Sequence, residues 1–131
     1  MELLISDELL VNSMRKLTQS EIYIIDKLVN DSNLVIKLYT SLNNYFCEDS
    51  LDGGMGSIKI LTNDYNTIVE PILKTVDVQL IYQDLDKSTV SITLLLDQDN
   101  NLKELDCFKM DFSPLCEPLN KNNPLSLVKL S

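Results

Sequence analysis

The 131-residue sequence contains no histidine. This absence removes the commonest general base of enzymes and the commonest metal ligand, and it excludes a Ser-His-Asp triad. The three cysteines, Cys47, Cys107 and Cys116, form no CxxC pair, and an odd number without a disulfide framework indicates reduced thiols in the cytosol. No apolar run is long enough to cross a membrane, and the N-terminal residues lack the basic start of a signal peptide. We therefore predict a cytoplasmic protein.

Basic residues are also scarce. The chain has 11 lysines and arginines against 20 aspartates and glutamates, for a formal net charge of −9. Such a charge repels phosphate backbones, so we predict no nucleic-acid binding and expect a basic protein as partner. The length predicts one domain over residues 1–131, which is large enough to fold without a disulfide or metal. We accordingly predict no cofactor and no membrane contact.

Three segments between residues 76 and 112 alternate apolar with polar side chains, which is typical of half-buried β-strands. Their apolar positions are Val76, Val78, Leu80, Tyr82, Val90, Ile92, Leu94, Leu96, Phe108, Met110 and Phe112. Acidic, amide-rich turn sequences connect the segments at Asp84–Ser88 and Asp97–Asn101. The pattern predicts a three-stranded antiparallel meander with one apolar face and acidic hairpin tips.

Helical signals precede these strands. Thr18 and Glu21 form a capping box at the start of a predicted helix over about Gln19–Asn30. Asp31 and Ser32 are suited to cap a second helix that runs to about Asn44. The apolar stripe of this second helix, which we expect to pack in the core, is Leu34, Val35, Leu38 and Leu42. Because only a short polar link separates the two helices, the sequence predicts a helical hairpin.

These elements predict an α+β fold, with the N-terminal helical hairpin packed on an antiparallel sheet of about four strands. The predicted strands are Ser57–Leu61, Val76–Tyr82, Thr89–Leu96 and roughly Leu102–Phe112. We also predict a short helix at residues 2–13 and a helical turn at Tyr65–Leu73. Residues 114–131 are rich in proline and asparagine, which predicts a surface tail that can add a last short strand within Leu125–Leu130.

All three glycines lie in one segment, here called the glycine loop. It consists of Asp52, Gly53, Gly54, Met55, Gly56 and Ser57. This density of glycine indicates backbone at positive φ or the close approach of another element. The loop precedes a strand, whereas a dinucleotide fingerprint opens a helix, and it lacks the Gly-Lys-Ser/Thr of a P-loop. Two interpretations stay open: a bulged turn leading into an edge strand, and a binding loop for a small ligand.

The acidic turn at Asp97–Asn101 begins like a calcium-binding loop. An EF-hand loop, however, needs glycine at its sixth position and glutamate at its twelfth, and Leu102 and Phe108 stand there instead. The turn at Asp84–Ser88 fails in the same way. We therefore predict no metal site, and we identify no catalytic residue.

Three patches of the sequence carry a family resemblance. They are Met14–Glu21 with the pattern R-x-L-T-x-x-E, the glycine loop, and Glu104–Leu115 with the pattern E-L-D-x-F-K-x-D-F-S-P-L. In this order and spacing the chain resembles a family of small bacterial α+β proteins of unknown function, over about residues 14–115. Proteins of this size and acidity are similar to immunity proteins of bacterial toxin systems, contact-dependent growth inhibition among them. The resemblance implies a protein that binds a toxin domain and blocks its active site, and it transfers no catalytic residue.

Our leading hypothesis is a toxin inhibitor, not an enzyme, that occupies the basic cleft of a toxin nuclease. The residues predicted to contact this partner are Asp84, Asp86, Asp97, Asp99, Glu104 and Asp106. The alternative is a small-ligand binding module centred on the glycine loop, although the carboxylates of Glu48, Asp49 and Asp52 argue against an anionic ligand. The sequence does not indicate an oligomeric state.

Overall fold

The computed structural model describes residues 14–61 and 72–130. Within these residues the fold is one seven-stranded antiparallel sheet with a single α-helix. The elements are β1 (Met14–Lys16), α1 (Gln19–Asp31), a 3-10 turn (Leu42–Asn44), β2 (Phe46–Asp49), β3 (Ile58–Ile60), β4 (Lys74–Gln83), β5 (Thr89–Leu96), β6 (Leu102–Lys109) and β7 (Ser126–Lys129). The prediction of a helical hairpin on about four strands is therefore wrong.

The strand order across the sheet is β1-β2-β3-β6-β5-β4-β7. The meander of β4, β5 and β6 forms as the period-two patterning predicts, and β5 has the predicted bounds. Strand β7, which pairs with β4, lies within the segment proposed for a last strand. Strands β1 and β2 were not predicted, because each is only three or four residues long and β1 carries two charged side chains.

The core lies on one face of the sheet, where α1 packs against β4 and β5. Ile24, Ile25 and Leu28 of α1 are fully buried there. The sheet residues buried in the same cluster are Cys47, Ile58, Ile60, Val76, Val78, Leu80, Tyr82, Val90, Ile92, Leu94, Leu96, Leu102, Leu105 and Cys107. Each large apolar side chain that leaves water in this way stabilises the fold by roughly 1.5–3 kcal/mol.

The second predicted helix does not form. Helix α1 ends at Asp31, and Ser32 is already extended, with φ −74° and ψ 147°. The Ser32 hydroxyl and the Asn33 N–H both donate to the Asp77 carboxylate on β4, so these residues are tied to the sheet instead of capping a helix. Val35, from the expected apolar stripe, is 79% exposed.

The alternation in β6 is also the reverse of the prediction. Lys109 is fully buried, whereas Met110 and Phe112 are 62% and 71% exposed. Leu105 and Cys107 fill the covered face, and the period of two then places Lys109 on that face and Phe108 on the opposite one. Strand pairing ends at this point, because Met110 to Phe112 form a turn closed by the Phe112 N–H and the Lys109 carbonyl.

The C-terminal segment is only partly a surface tail, because Leu115, Leu119 and Leu125 pack against the core. The helix predicted at residues 2–13 and most of the helical turn predicted at Tyr65–Leu73 lie outside the described residues. In the part of the chain that the structure describes, no helix has the length and apolar character needed to cross a membrane.

Candidate functional site

Three segments that are distant in sequence meet at a surface cleft of about 390 Å³. They are the end of β1 with the start of α1, the end of β2 with the glycine loop, and the chain that follows β6. The lining residues are Arg15, Thr18, Gln19, Ser20, Glu21, Asp49, Gly54, Gly56, Leu115, Pro118 and Leu119. The fold thus brings together parts of all three sequence patches that carry the family resemblance.

The Arg15 guanidinium is held by two carboxylates at the edge of this cleft. Its Nη1 and Nη2 donate to the two oxygens of Glu21 at 2.8 and 2.9 Å, and Nη2 also donates to Asp49 at 2.8 Å. Hydrogen bonds to Glu21 and then Asp49 raise the pKa of Arg15 further above its ordinary value. Because the two carboxylates neutralise this cation, it has little capacity left to attract an anionic ligand.

Glu21 has a second structural task at the start of α1. Its Oε1 accepts from the Thr18 N–H at 2.8 Å, and the Thr18 hydroxyl accepts from the Glu21 N–H at 3.1 Å. The capping box predicted from the sequence is thereby confirmed. The same carboxylate caps the helix and orients Arg15, which joins β1 to α1.

The glycine loop does cradle an anion, and that anion is the Asp52 carboxylate. Its Oδ1 accepts from the N–H groups of Gly54 and Met55 at 3.2 and 3.1 Å, and its Oδ2 accepts from Ser57 N–H at 2.9 Å. These amides are the donors that a loop of this kind would offer to a phosphate or carboxylate ligand. The internal carboxylate already occupies them.

All three glycines have positive φ, as predicted for at least one of them, and two also make close contacts. A Cβ on Gly56, where φ is 97°, would lie 2.9 Å from Leu115 Cδ1. One on Gly54 would lie 3.1 Å from Pro114 Cβ, and the Gly54 carbonyl accepts from Leu115 N–H at 3.0 Å. The loop therefore forms a turn and also packs closely against the chain after β6.

A buried lysine lies beyond the loop, at the end of β6. Lys109 Nζ is 2.9 Å from Asp84 Oδ2, 2.7 Å from Asp86 Oδ2 and 3.0 Å from the Pro114 carbonyl oxygen. Burial opposes its charged form, but the hydrogen bonds to Asp86 and Asp84 outweigh that effect and raise the pKa of Lys109. The ammonium ties the β4–β5 turn to the segment after β6.

Asp84, Asp86 and Cys116 also form a group whose ligand atoms are close enough to hold a metal ion. The Lys109 ammonium contacts the same two carboxylates and lies 3.7 Å from Cys116 Sγ. A lysine thus supplies the positive charge that a metal ion would supply.

The Asp97 carboxylate is also engaged within the protein. It accepts hydrogen bonds from Asp99 N–H and from the backbone and side chain of Asn101.

The six predicted contact residues do not form one patch. The Asp84–Asp86 turn and the Asp97–Asp99 turn lie at opposite ends of β5, whose eight residues separate them by roughly 25 Å. Asp84 and Asp97 are buried. Glu104 and Asp106 lie side by side on the open face of β6, where burial raises the pKa of both carboxyls.

Lys109 and Arg15 belong to the family patches, but their ion pairs were not predicted from the sequence. A signal for Lys109 was present, because Leu105 and Cys107 set a period of two that continues to it. The pairing of Arg15 with Asp49 had no local signal, because it depends on the contact between β1 and β2.

Comparisons with known proteins give one family. A family model described as a domain of unknown function (DUF6984) matches residues 14–118. No curated protein and no solved structure matches the chain. The matched span contains β1 to β6 and every residue that lines the cleft except Leu119.

Proposed function

The chain belongs to the DUF6984 family of domains of unknown function, and from its geometry we propose that it is an immunity protein. In this proposal it binds a cognate bacterial toxin domain with nuclease activity and occludes the active site of that domain. The protein acts in the cytoplasm and performs no catalysis itself.

One observation carries the proposal: three charged side chains of the family patches, Arg15, Asp52 and Lys109, are held by other groups of the protein. Arg15 binds Glu21, Asp52 binds the amides of its own loop, and Lys109 binds Asp84. Groups paired in this way stabilise a scaffold and are poorly placed to act on a substrate. A protein built like this exerts its effect through its surface, which supports inhibition by binding.

The net charge of −9 supports a basic partner. A nuclease cleft is positively charged because it holds phosphates, and opposite fields raise the rate at which an acidic protein meets it. Short-range packing then slows dissociation. The inhibitor would thus compete directly with nucleic acid for the same cleft.

The test is co-expression with the toxin domain encoded by the neighbouring gene, scored by colony survival. We expect survival with the intact protein and death with an empty vector. A catalytically inactive toxin domain controls for the effect of its expression on growth, and an unrelated toxin nuclease controls for specificity. Equal killing in the presence and absence of the protein would refute the immunity role.

The cleft supports a second candidate, a small-ligand binding module. Its volume of about 390 Å³ is in the range of ligand pockets, but the loop amides and Arg15 are occupied, so a neutral compound suits it better than an anion. The test is a thermal-shift screen with nucleosides, amino acids and sugars. Gln19→Trp, which narrows the cleft, should abolish any shift, whereas Tyr23→Trp, on the same helix but outside the cleft lining, should preserve it. The absence of a shift with every compound would count against this candidate.

A further inference from the structure

Strand β6 presents a strip of side chains on the face of the sheet opposite the core. Glu104, Asp106 and Phe108 point to this face because Leu105, Cys107 and Lys109 point to the other. Met110 follows β6 in the closing turn, where its N–H donates to the Thr89 carbonyl at 3.0 Å and its side chain is exposed. The ring of Phe112 stands edge-on to that of Phe108, with centroids 5.2 Å apart. We name these five residues, Glu104, Asp106, Phe108, Met110 and Phe112, the β6 strip.

The strip has an acidic half and an apolar half. Glu104 and Asp106 form the acidic half. In the strand register, Lys59 of β3 lies opposite Glu104. Met110 and Phe112, which are 62% and 71% exposed, dominate the second, and Asp111 lies exposed between them. The strip extends over roughly 20 Å from Glu104 to Met110. Phenylalanine and methionine are enriched at the centre of protein–protein interfaces, whereas carboxylates are found mainly at the polar rim, so the apolar half fits the centre of an interface and the acidic half fits its edge.

Phe112 has a strained backbone. Its φ is 63°, in the left-handed region that favours glycine or asparagine, and a bulky residue there costs about 1–2 kcal/mol. Its ring is largely exposed, so burial recovers little of that cost, and the contact that opposes it is the edge-on contact with the Phe108 ring. The positive φ and the exposure to solvent would both be met better by a small polar residue such as asparagine. Strained residues of this kind are concentrated at functional sites.

Resting on the proposed immunity function, we infer that the β6 strip is the surface that contacts the toxin domain. The partner surface has the complementary chemistry: lysine or arginine side chains opposite Glu104 and Asp106, and an apolar pocket that receives Phe112. Aromatic side chains that fill such pockets are typical interface hot spots. The strip also refines the predicted contact set, because it keeps Glu104 and Asp106 and replaces the turn carboxylates with apolar side chains.

The test measures binding of the purified toxin domain, in a catalytically inactive form, by surface plasmon resonance. Phe112→Asn should weaken binding at least about tenfold, mainly through faster dissociation. Its thermal midpoint should not fall, since asparagine tolerates positive φ. The matched control is Val35→Asn, which removes an apolar side chain that is 79% exposed elsewhere and should leave binding unchanged.

The acidic half is tested through association rates. Asp106→Lys should slow association several-fold at low salt, and the difference from the unmodified protein should shrink at high salt. Asp26→Lys, which reverses an exposed charge on α1, should alter the rate much less.

The outcomes separate the two proposals. If the unmodified protein does not bind the toxin domain, the immunity function fails and the strip assignment fails with it. If it binds, and Phe112→Asn and Asp106→Lys bind equally well, the strip assignment alone is overturned. The protein could also self-associate, and Phe112→Asn could abolish this self-association without affecting toxin binding. That result would assign the strip to contact with a second copy of the chain and would overturn its assignment to the toxin.

Discussion

The ammonium nitrogen of Lys109 lies 2.9 Å from Oδ2 of Asp84, and the two side chains are 0% and 3% exposed. The pair joins residues that are 25 positions apart. Asp84 Oδ2 also accepts from the Cys116 N–H at 2.7 Å. One carboxylate therefore holds both the end of β6 and the segment after it, and the pair fixes the position of that segment against the glycine loop.

Loss of the lysine charge should destabilise the protein strongly. Lys109→Met keeps the length of the side chain but leaves the Asp84 carboxylate buried without its cation. We expect the thermal midpoint to fall by at least about 10 °C, measured by circular dichroism at pH 7. Asp86→Asn is the control, because the Asp86 side chain is 38% exposed and should lower the midpoint much less. Equal effects from both variants would show that the buried pair contributes no more than a surface ion pair.

Part of the stability should be lost in acid through Asp84. Burial opposes its ionisation, but hydrogen bonds from Cys116 N–H and Lys109 outweigh this and lower the pKa of Asp84 to about 2. The unfolded value is about 3.9, so the ionised pair stabilises the fold above pH 4, and this contribution is lost as pH falls from about 4 to about 2. Thermal melts across this range should show a steeper decline for the natural protein than for Asp84→Asn. Parallel curves would contradict the assignment.

The Arg15–Glu21 pair should be separable from the capping box. Arg15→Met leaves the largely buried Glu21 carboxylate without its guanidinium partner and should cost about 2 kcal/mol of unfolding free energy, since Arg15 is partly exposed. Adding Glu21→Gln should restore part of the loss, because glutamine can still accept from Thr18 N–H but carries no charge. Urea denaturation measures both variants. A double variant less stable than Arg15→Met alone would contradict this account.

The glycines of the loop should differ in their tolerance of alanine. Gly53→Ala introduces a Cβ at φ 73° into open space, so only the backbone cost of about 1 kcal/mol is expected. Gly56→Ala also brings a Cβ to 2.9 Å from Leu115 Cδ1, so its cost should be larger by at least about 1 kcal/mol. Urea denaturation of the two variants gives the comparison. An equal loss of unfolding free energy at both positions would show that Leu115 moves away from the new Cβ without a loss of stability.

The three thiols should differ in reactivity. Cys116 is exposed, whereas Cys47 and Cys107 are buried. Burial raises the pKa of Cys47 to about 12 and also raises the pKa of Cys107, and desolvation raises that of Cys116 as well, so access of the reagent to the sulfur decides the order. Iodoacetamide should therefore add one label to the native protein and three to the protein in denaturant, as read by intact mass spectrometry. Native labelling of Cys47 or Cys107 ahead of Cys116 would contradict the packing described here.

The sequence alone determined the elements whose signals are local. The capping box at Thr18 and Glu21 specifies the start of α1, since its two hydrogen bonds join residues three positions apart. Period-two patterning specifies β4 and β5, whose inward residues are all buried. Glycine clustering predicted positive φ in the glycine loop, because few other residues adopt that backbone without strain.

Only the tertiary structure decided the rest, because it depends on contacts between distant residues. Ser32 would cap a helix in isolation, but the Asp77 carboxylate of β4 holds it in extended backbone. Lys109 is polar, yet pairing with Asp84 and Asp86 lets it take an inward position and leaves Phe112 outside. The cleft likewise requires the segment after β6 to fold back on the glycine loop. A local pattern predicts burial from the polarity of each residue alone. In this fold, the position of a residue also depends on the residue, distant in sequence, with which it pairs.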